Sequence, residues 1–358
     1  MKKRVAIVLH GLGANGIDTL FANLSDHWDY ERYEIYYLLA VDKGAKQFWE
    51  DKVVSNGVKV IHITDLDGNK LLKWPQNLKN ALKQYGPFDA IHVNMDMLNG
   101  INLNVARKAG INVRVCHAHT SSNKTNKGIK RFVKSLYLAK MKKMIRKNAT
   151  CNLACSDVAG DYFYGKNNYT TMYNGIDLNL YTKTNNTPNK YPVFITVGRM
   201  VEAKNPIFLV DVFNEIVKLI PQAKLIWVGG GGLESEIKSK VSEYHLNNSV
   251  DFLGVRSDVY NILPKADYFL LPSLYEGLSI ALAEAQAAGL DCFVSNTVSR
   301  LSDCGKCEFI SLEKNAAEWA QIISEYIKSG KHNEVDQEKL SKFDIKNMAR
   351  ELEKKYTQ

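Results

Sequence analysis

Two hydrophobic patterns alternate along the chain. Short continuous apolar runs are separated by longer stretches in which apolar positions recur every three or four residues. The first pattern predicts strands buried on both faces at Val5–Leu9, Glu34–Val41, Val58–Ile63, Ala90–Val93 and Asn112–His117. Shorter strands are expected at 151–155 and 170–173, and a helix from about Thr19 to His27 follows the first turn. The stretch Thr182–Tyr191 has three asparagines, a proline and no apolar periodicity, which predicts a linker.

Beyond it the alternation begins again. Strands are predicted at Val193–Val197, Lys224–Val228, Val250–Leu253, Tyr268–Leu271 and Cys292–Ser295. Helices are predicted near Ile207–Leu219, Leu233–Tyr244, Val259–Leu263 and Ser279–Ala288. The simplest architecture is α/β, with two doubly wound parallel-sheet domains over 1–181 and 192–342 joined by the linker 182–191. Ligands of such sheets lie at the carboxyl ends of the strands, so a cleft between the domains is the expected site.

Composition narrows the classes. With 45% hydrophobic residues in 358, each domain can bury a core, and a mainly disordered chain is excluded. No apolar run is long enough to span a membrane, and the run after Met1-Lys2-Lys3-Arg4 is too short for a signal peptide. Six cysteines without a disulfide framework indicate a reducing, cytoplasmic setting.

The net charge of +9 is unevenly placed. Residues 1–180 carry 26 basic and 15 acidic side chains, and the rest of the chain carries 21 and 23. Ten basic residues and no acid fall within 124–147, interleaved with Ile129, Phe132, Val133, Leu136, Tyr137, Met141, Met144 and Ile145 at helical spacing. This predicts a basic amphipathic helix, either lying on an anionic membrane surface or packing its stripe on its own domain. A nucleic-acid groove is disfavoured because no base-stacking module accompanies the charge.

Four segments carry candidate chemistry. The loop His10-Gly-Leu-Gly-Ala-Asn-Gly16 follows a strand and opens a helix, which suits a phosphate at the helix N-terminus. It lacks a clear acidic residue ending the second strand, so a dinucleotide site is disfavoured. The run Gly229–Gly232 is open to the same ligand reading or to a tight turn. Arg199 and Lys204 follow the strand 193–197, and two cations there suit a diphosphate. Glu276 and Glu284 flank a helix start at Gly277, Leu278 and Ser279, whose backbone amides are expected to hold a ligand's phosphates. Eight residues of helix separate these carboxylates by about 12 Å, too far to share a proton. Asp65-Leu-Asp67 invites a metal reading but lies in a polar turn before Gly68-Asn69 and reads as coincidence. Cys304-Gly-Lys-Cys307 invites a zinc or redox reading, but no second C-x2-C pair or nearby His-x3-His completes a tetrahedral site, and it reads as a loop with free thiols.

The segment Glu276…Glu284 resembles the E-x7-E signature of the retaining glycosyltransferases of family four, which have the GT-B fold of two facing Rossmann-like domains. Asn174-Gly-Ile-Asp177, Val197-Gly-Arg199 with Lys204, Asp251-Phe-Leu-Gly254, Ala266-Asp267 and Glu284-Ala-Gln-Ala-Ala-Gly289 extend the resemblance over most of the chain. His117-Ala-His119 places it nearest the capsule and exopolysaccharide branch.

The resemblance implies a role for each matching residue. Glu276 would hold the donor sugar, Glu284 the ribose, Arg199 and Lys204 the diphosphate, and backbone near Val255 and Arg256 the base. Gly16 would match the family's first loop, although Asn15 and Asp18 depart from its usual glycine and glutamate. His119 would face sugar and acceptor. The implied enzyme is a cytoplasmic, membrane-associated hexosyltransferase that needs no metal or other cofactor. It would take a UDP-sugar to a lipid-linked saccharide, with donor binding in the C-terminal domain and acceptor binding in the N-terminal one. Acceptor choice would rest on loops 96–102 and 121–127, and the last helix, Ile345–Tyr356, would return to the N-terminal domain. A GT-B UDP-sugar epimerase and a non-catalytic nucleotide-sugar-binding protein are the alternatives.

Overall fold

The computed structural model describes residues 1–119, 129–181 and 189–357, with side chains outside the description at 129–133. The chain forms two compact units, Met1–Gly175 with Ile345–Gln358, and Ile176–Asp344. It therefore passes from one unit to the other at Gly175–Ile176 and again at Asp344–Ile345. These crossings differ from the expected boundary at 182–191, of which 182–188 lies outside the described residues. The first crossing segment is pinned by a local contact: Ile176 N–H donates to the Phe343 carbonyl at 2.7 Å.

Unit 1 is built on seven parallel strands in the order β3-β2-β1-β4-β5-β6-β7. They are β1 Lys3–Leu9, β2 Tyr33–Leu39, β3 Lys59–His62, β4 Ala90–Val93, β5 Val113–Ala118, β6 Cys151–Ala154 and β7 Thr170–Thr171. Helices connect them as α1 Gly16–Leu24, α2 Glu50–Ser55, α3 Lys70–Tyr85, α4 Asn99–Lys108, α5 Ile129–Asn148 and α6 Asp157–Tyr164. The first helix begins three residues earlier than expected because Asn15 caps it, its Oδ1 accepting from Ile17 N–H and Asp18 N–H. Val5, Ile7 and Leu9 alternate into one core with Phe21, Tyr37, Leu352 and Tyr356. The last two belong to the final helix, α13 Ile345–Lys355, and the residue after it, so this segment packs within this unit.

Unit 2 carries six parallel strands in the order β10-β9-β8-β11-β12-β13. They are β8 Val193–Val197, β9 Lys224–Val228, β10 Val250–Gly254, β11 Tyr268–Leu271, β12 Asp291–Ser295 and β13 Cys307–Ile310. Its helices are α7 Pro206–Leu219, α8 Glu234–Glu243, α9 Val259–Ile262, α10 Ile280–Ala287, α11 Ala316–Ser329 and α12 Gln337–Ser341, followed in unit 1 by α13 Ile345–Lys355. The reading of Cys304–Cys307 as a loop needs correction. Cys307 opens β13 and is the register partner of Cys292 on β12. The edge strand was missed because Glu308 interrupts its apolar run.

The basic helix α5 divides into two halves. Gly100, in the first turn of α4, is so close to α5 that a Cβ would meet the Met141 carbonyl at 2.8 Å. Met141, Ile145 and Asn148 are buried there. Both helices run back from the carboxyl edge of one parallel sheet, so the twelve residues before Met141 run about 18 Å past the start of α4. Leu136 and Tyr137 on that stretch are 56% and 42% exposed. Of the basic set, Lys142 is tied down, its ammonium donating to the Tyr162 carbonyl and lying over that ring. Lys140, Lys143, Arg146 and Lys147 are exposed. Among the described residues no helix is long and apolar enough to cross a membrane.

Candidate active site

In each sheet the strand order reverses direction once, between β1 and β4 and between β8 and β11. Loops leaving the carboxyl ends on either side of such a point diverge, and a crevice opens between them. Arg199, Lys204, Glu276, Gly277, Leu278 and Ser279 fall on those loops, and Gly16 opens the helix that follows one of them. His119 follows the neighbouring strand β5, while Val255 and Arg256 follow the edge strand β10 and Glu284 lies within α10.

In unit 2 the loop after β8 carries Arg199 and Lys204, and the loop after β11 carries Glu276. Leu274 N–H donates to the Ala203 carbonyl at 2.9 Å, joining the two loops. Lys204 Nζ and Glu276 Oε1 form an ion pair, with 24% and 14% of their side chains exposed. Ser273 Oγ donates to the same carboxylate oxygen at 3.3 Å. Arg199 is exposed on the first of these loops.

The second glycine run is there for packing. A Cβ at Gly229 would lie 1.9 Å from the Gly198 carbonyl, and one at Gly231 would lie 2.6 Å from that of Met200. The loop after β9 thus lies backbone against backbone on the loop that carries Arg199. Gly198 itself has φ +154 and would crowd the Lys204 side chain if it carried a Cβ.

At the start of α10 the expected row of amides is only partly available. Ser279 N–H donates to Ser302 Oγ at 2.8 Å, while the buried Ser279 hydroxyl has no partner among the described residues. Gly277 and Leu278 stand ahead of it, partly exposed. The correction to the sequence reading is that the Ser279 amide is already taken by Ser302. Val255 is 52% exposed beyond β10. Arg256 is committed to Asp258 in a two-pronged pair at 2.8 and 2.7 Å, so its side chain is held away from other work. Glu284, two turns along from Glu276, accepts from Tyr181 Oη at 2.8 Å.

In unit 1 the first glycine loop is closed by Asp18. Its Oδ2 accepts from Gly13 N–H at 2.7 Å and from Asn15 Nδ2 at 2.6 Å. Burial raises Asp18 to about 6, against these hydrogen bonds. Gly16 has open space where a side chain would begin. His119, past the end of β5, donates from Nε2 to Asn94 Oδ1 at 3.0 Å, while Nδ1 has no partner among the described residues. This hydrogen bond leaves Nδ1 as an acceptor in the neutral ring. Burial lowers His119 to about 4, with Asn174 opposing the shift. Phe21 of α1 meets the His119 ring edge-on at 6.5 Å, so helix and histidine share one edge of the sheet. His117 stacks between His119 and His92, and His92 bonds to Tyr356 at 2.8 Å. Burial holds His117 well below its usual range, so this column is neutral.

Sequence reasoning gave no role to Asn94, Tyr181, Ser273 or Ser302, although Pro272-Ser273 was among the family-like elements. Asn94 and Ser273 had a signal, since each is a polar residue just past a strand end at a switch point. The other two approach from segments distant in sequence. The triplet 65–67 has a structural role: Asp65 accepts from Asp67 N–H at 3.0 Å and pairs with Lys70 at 2.6 Å. Among the described residues no group of three His, Cys, Asp or Glu side chains could hold a metal.

Comparison with known proteins sets this geometry in context. The model of Glycosyltransferase Family 4 matches residues 14–180, and that of Glycosyl transferases group 1 matches 179–342. EpsF of Bacillus subtilis (strain 168), which carries a provisional glycosyltransferase name, is 29% identical over 347 residues, 92% of this chain and 89% of its own. The capsular polysaccharide biosynthesis glycosyltransferase CapH of Staphylococcus aureus is 25% identical over 335 residues, 90% of each chain. HepE of Anabaena, solved in complex with UDP, superposes over 100% of both chains with a TM-score of 0.78 at 16% identity. Two family models that together span 14–342, over a pair of parallel sheets with this switch-point chemistry, place the chain among the glycosyltransferases of GT-B fold.

Proposed function

We propose that the protein is a retaining, metal-independent transferase of family four that moves a sugar from a UDP-sugar to a lipid-linked saccharide during surface polysaccharide assembly. The observation that carries this reading is the Lys204–Glu276 pair at the unit 2 switch point. A cation beside a carboxylate is what a sugar diphosphate needs, since the ammonium can neutralise the departing phosphate while the carboxylate accepts sugar hydroxyls. CapH supports the polysaccharide context, and the UDP complex of HepE supports the donor class. His119, held neutral by burial at the end of β5, would face the sugar and the acceptor, as the resemblance implies. Retention by same-face attack, assisted by the leaving phosphate, is what the resemblance to family four implies.

The test is UDP release from UDP-sugars with and without a lipid-linked saccharide. Release that depends on the lipid-linked saccharide is expected, with a glycosylated product. Release without acceptor that leaves a 2-epimer or glycal would indicate an epimerase instead, and binding without release a non-catalytic protein.

The acceptor's lipid also gives the overhanging half of α5 a purpose. Its exposed Leu136 and Tyr137, beside Lys140 and Lys143, form a short apolar stripe rimmed by cations. Such a surface fits an anionic leaflet, and each charge contributes on the order of 1 kcal/mol there. The enzyme would then work as a peripheral protein on the cytoplasmic side. The triple variant Lys140→Gln, Lys143→Gln, Arg146→Gln is expected to lose most co-sedimentation with vesicles containing anionic lipid. Turnover of a soluble acceptor analogue should be unchanged. Undiminished sedimentation would leave the patch without this role.

A further inference from the structure

Tyr181 sits on a single 3-10 turn, Leu178–Tyr181, just after the chain enters unit 2. It is 6% exposed, and its hydroxyl reaches across 103 residues of sequence to Glu284 Oε1 at 2.8 Å. The turn packs against both α9 and α10, so the phenol is held on two sides. We propose that Tyr181 is a positioning residue for the nucleotide: it fixes Glu284 so that the carboxylate's other oxygen faces the ribose hydroxyls. The inference rests on the reading that Glu284 holds the ribose.

The physical case has two parts. A glutamate on a helix has several rotamers, and a hydrogen bond to one oxygen selects the orientation of the other. The charge state is the second. Burial raises Glu284 to about 7, and the Tyr181 hydrogen bond acts against that rise. A protonated carboxyl would present a donor where the ribose needs an acceptor, so the phenol also protects the accepting form. The Tyr181 proton stays in place because burial and the neighbouring Glu284 push the phenol well above its usual range.

The experiment is calorimetric titration of the full-length protein with UDP and with 2′,3′-dideoxy-UDP. Tyr181→Phe removes one oxygen and keeps the ring. It is expected to weaken UDP binding about tenfold, the worth of one hydrogen bond to a charged group. The dideoxy nucleotide should be barely affected, so the ratio of the two affinities narrows. Glu284→Gln should narrow it further, and the double variant should be no worse than Glu284→Gln alone. If Tyr181→Phe weakens both nucleotides equally, or neither, the positioning role is overturned while the ribose reading stands. If Glu284→Gln leaves the ratio at its wild-type value, the ribose reading fails and the proposal with it. A circular dichroism melt of each variant separates loss of fold from loss of selectivity. Should Tyr181→Phe melt early, Glu284→Asp gives the same readout. By withdrawing the carboxylate from Tyr181, it should narrow the ratio as Tyr181→Phe would, and an unchanged ratio would overturn the proposal.

Discussion

Replacing Lys204 by Met is expected to lower kcat/KM for sugar transfer by about 10²–10³-fold, the usual cost of deleting one preorganised charge-stabilising group. The ammonium lies on the loop after β8, paired with Glu276 and 24% exposed. In the proposed reaction the β-phosphate gains charge as the bond to the sugar breaks, so an adjacent cation stabilises the transition state more than the bound donor. The loss should therefore appear mainly in kcat, with a smaller change in donor KM. Methionine keeps the length and apolar stem of lysine, and the contact with Gly198 involves that stem. The melting temperature should hold within a few degrees. Steady-state kinetics on the donor decide the matter, and a variant with wild-type kcat would remove Lys204 from the chemistry.

Glu276→Gln is expected to cost about 10²-fold in kcat/KM, and it tests a different property of the same pair. The amide is nearly isosteric, so Ser273 Oγ can still donate to the side-chain carbonyl. What disappears is the negative charge, and with it the acceptor strength toward sugar hydroxyls and the hold on Lys204. The two residues are in contact, so their effects should not add. A double-mutant cycle is expected to show a coupling of about 0.5–3 kcal/mol. Additive losses would mean that the pair seen here is not the working arrangement. Full activity in Glu276→Gln would displace the E-x7-E reading of the site.

Much of the architecture was legible because strands buried on both faces write themselves as apolar runs. The centres of β1, β4, β8, β9 and β11 fall where the runs predict them. Ends were less legible. The helix α1 begins at Gly16 because the Asn15 side chain caps it, a choice made by local hydrogen bonding rather than by periodicity. The edge strand β13 escaped because it has only four residues and Glu308 breaks its apolar run. The crossings at 175–176 and 344–345 were also obscure. They are set by close contact, since a Cβ on Gly175 would lie 2.6 Å from Ile345 Cα, and no compositional shift marks them.

The glycines show how the same residue can mean different things. Around Gly13 and Gly16 the loop is closed by Asp18, with room at Gly16 for a ligand or a neighbouring chain. At Gly229 and Gly231 the missing side chain lets two loops pack backbone to backbone. Both runs follow a strand and precede a helix, so no reading of the sequence could have separated them. Ser279 repeats the lesson at α10, where the amide that a helix N-terminus would offer is taken by Ser302, 23 residues away.

By itself, the sequence determined the centres of most strands and which charged residues follow them. Since parallel α/β units put those loops on one edge, it thereby named Arg199, Lys204 and Glu276 as candidates, and the family resemblance added His119. It also located the basic segment at 124–147, although 120–128 lies outside the described residues. Only the tertiary structure decided the partnerships. Strand order places β8 beside β11 and so brings Lys204 to Glu276 across 72 residues. Packing of the 3-10 turn at 178–181 brings Tyr181 to Glu284, and the length of α5 beyond α4 leaves Leu136 and Tyr137 exposed. Periodicity reports which face of an element is buried. Which element covers that face, and which polar groups meet at the edge, depends on contacts between residues far apart in the chain.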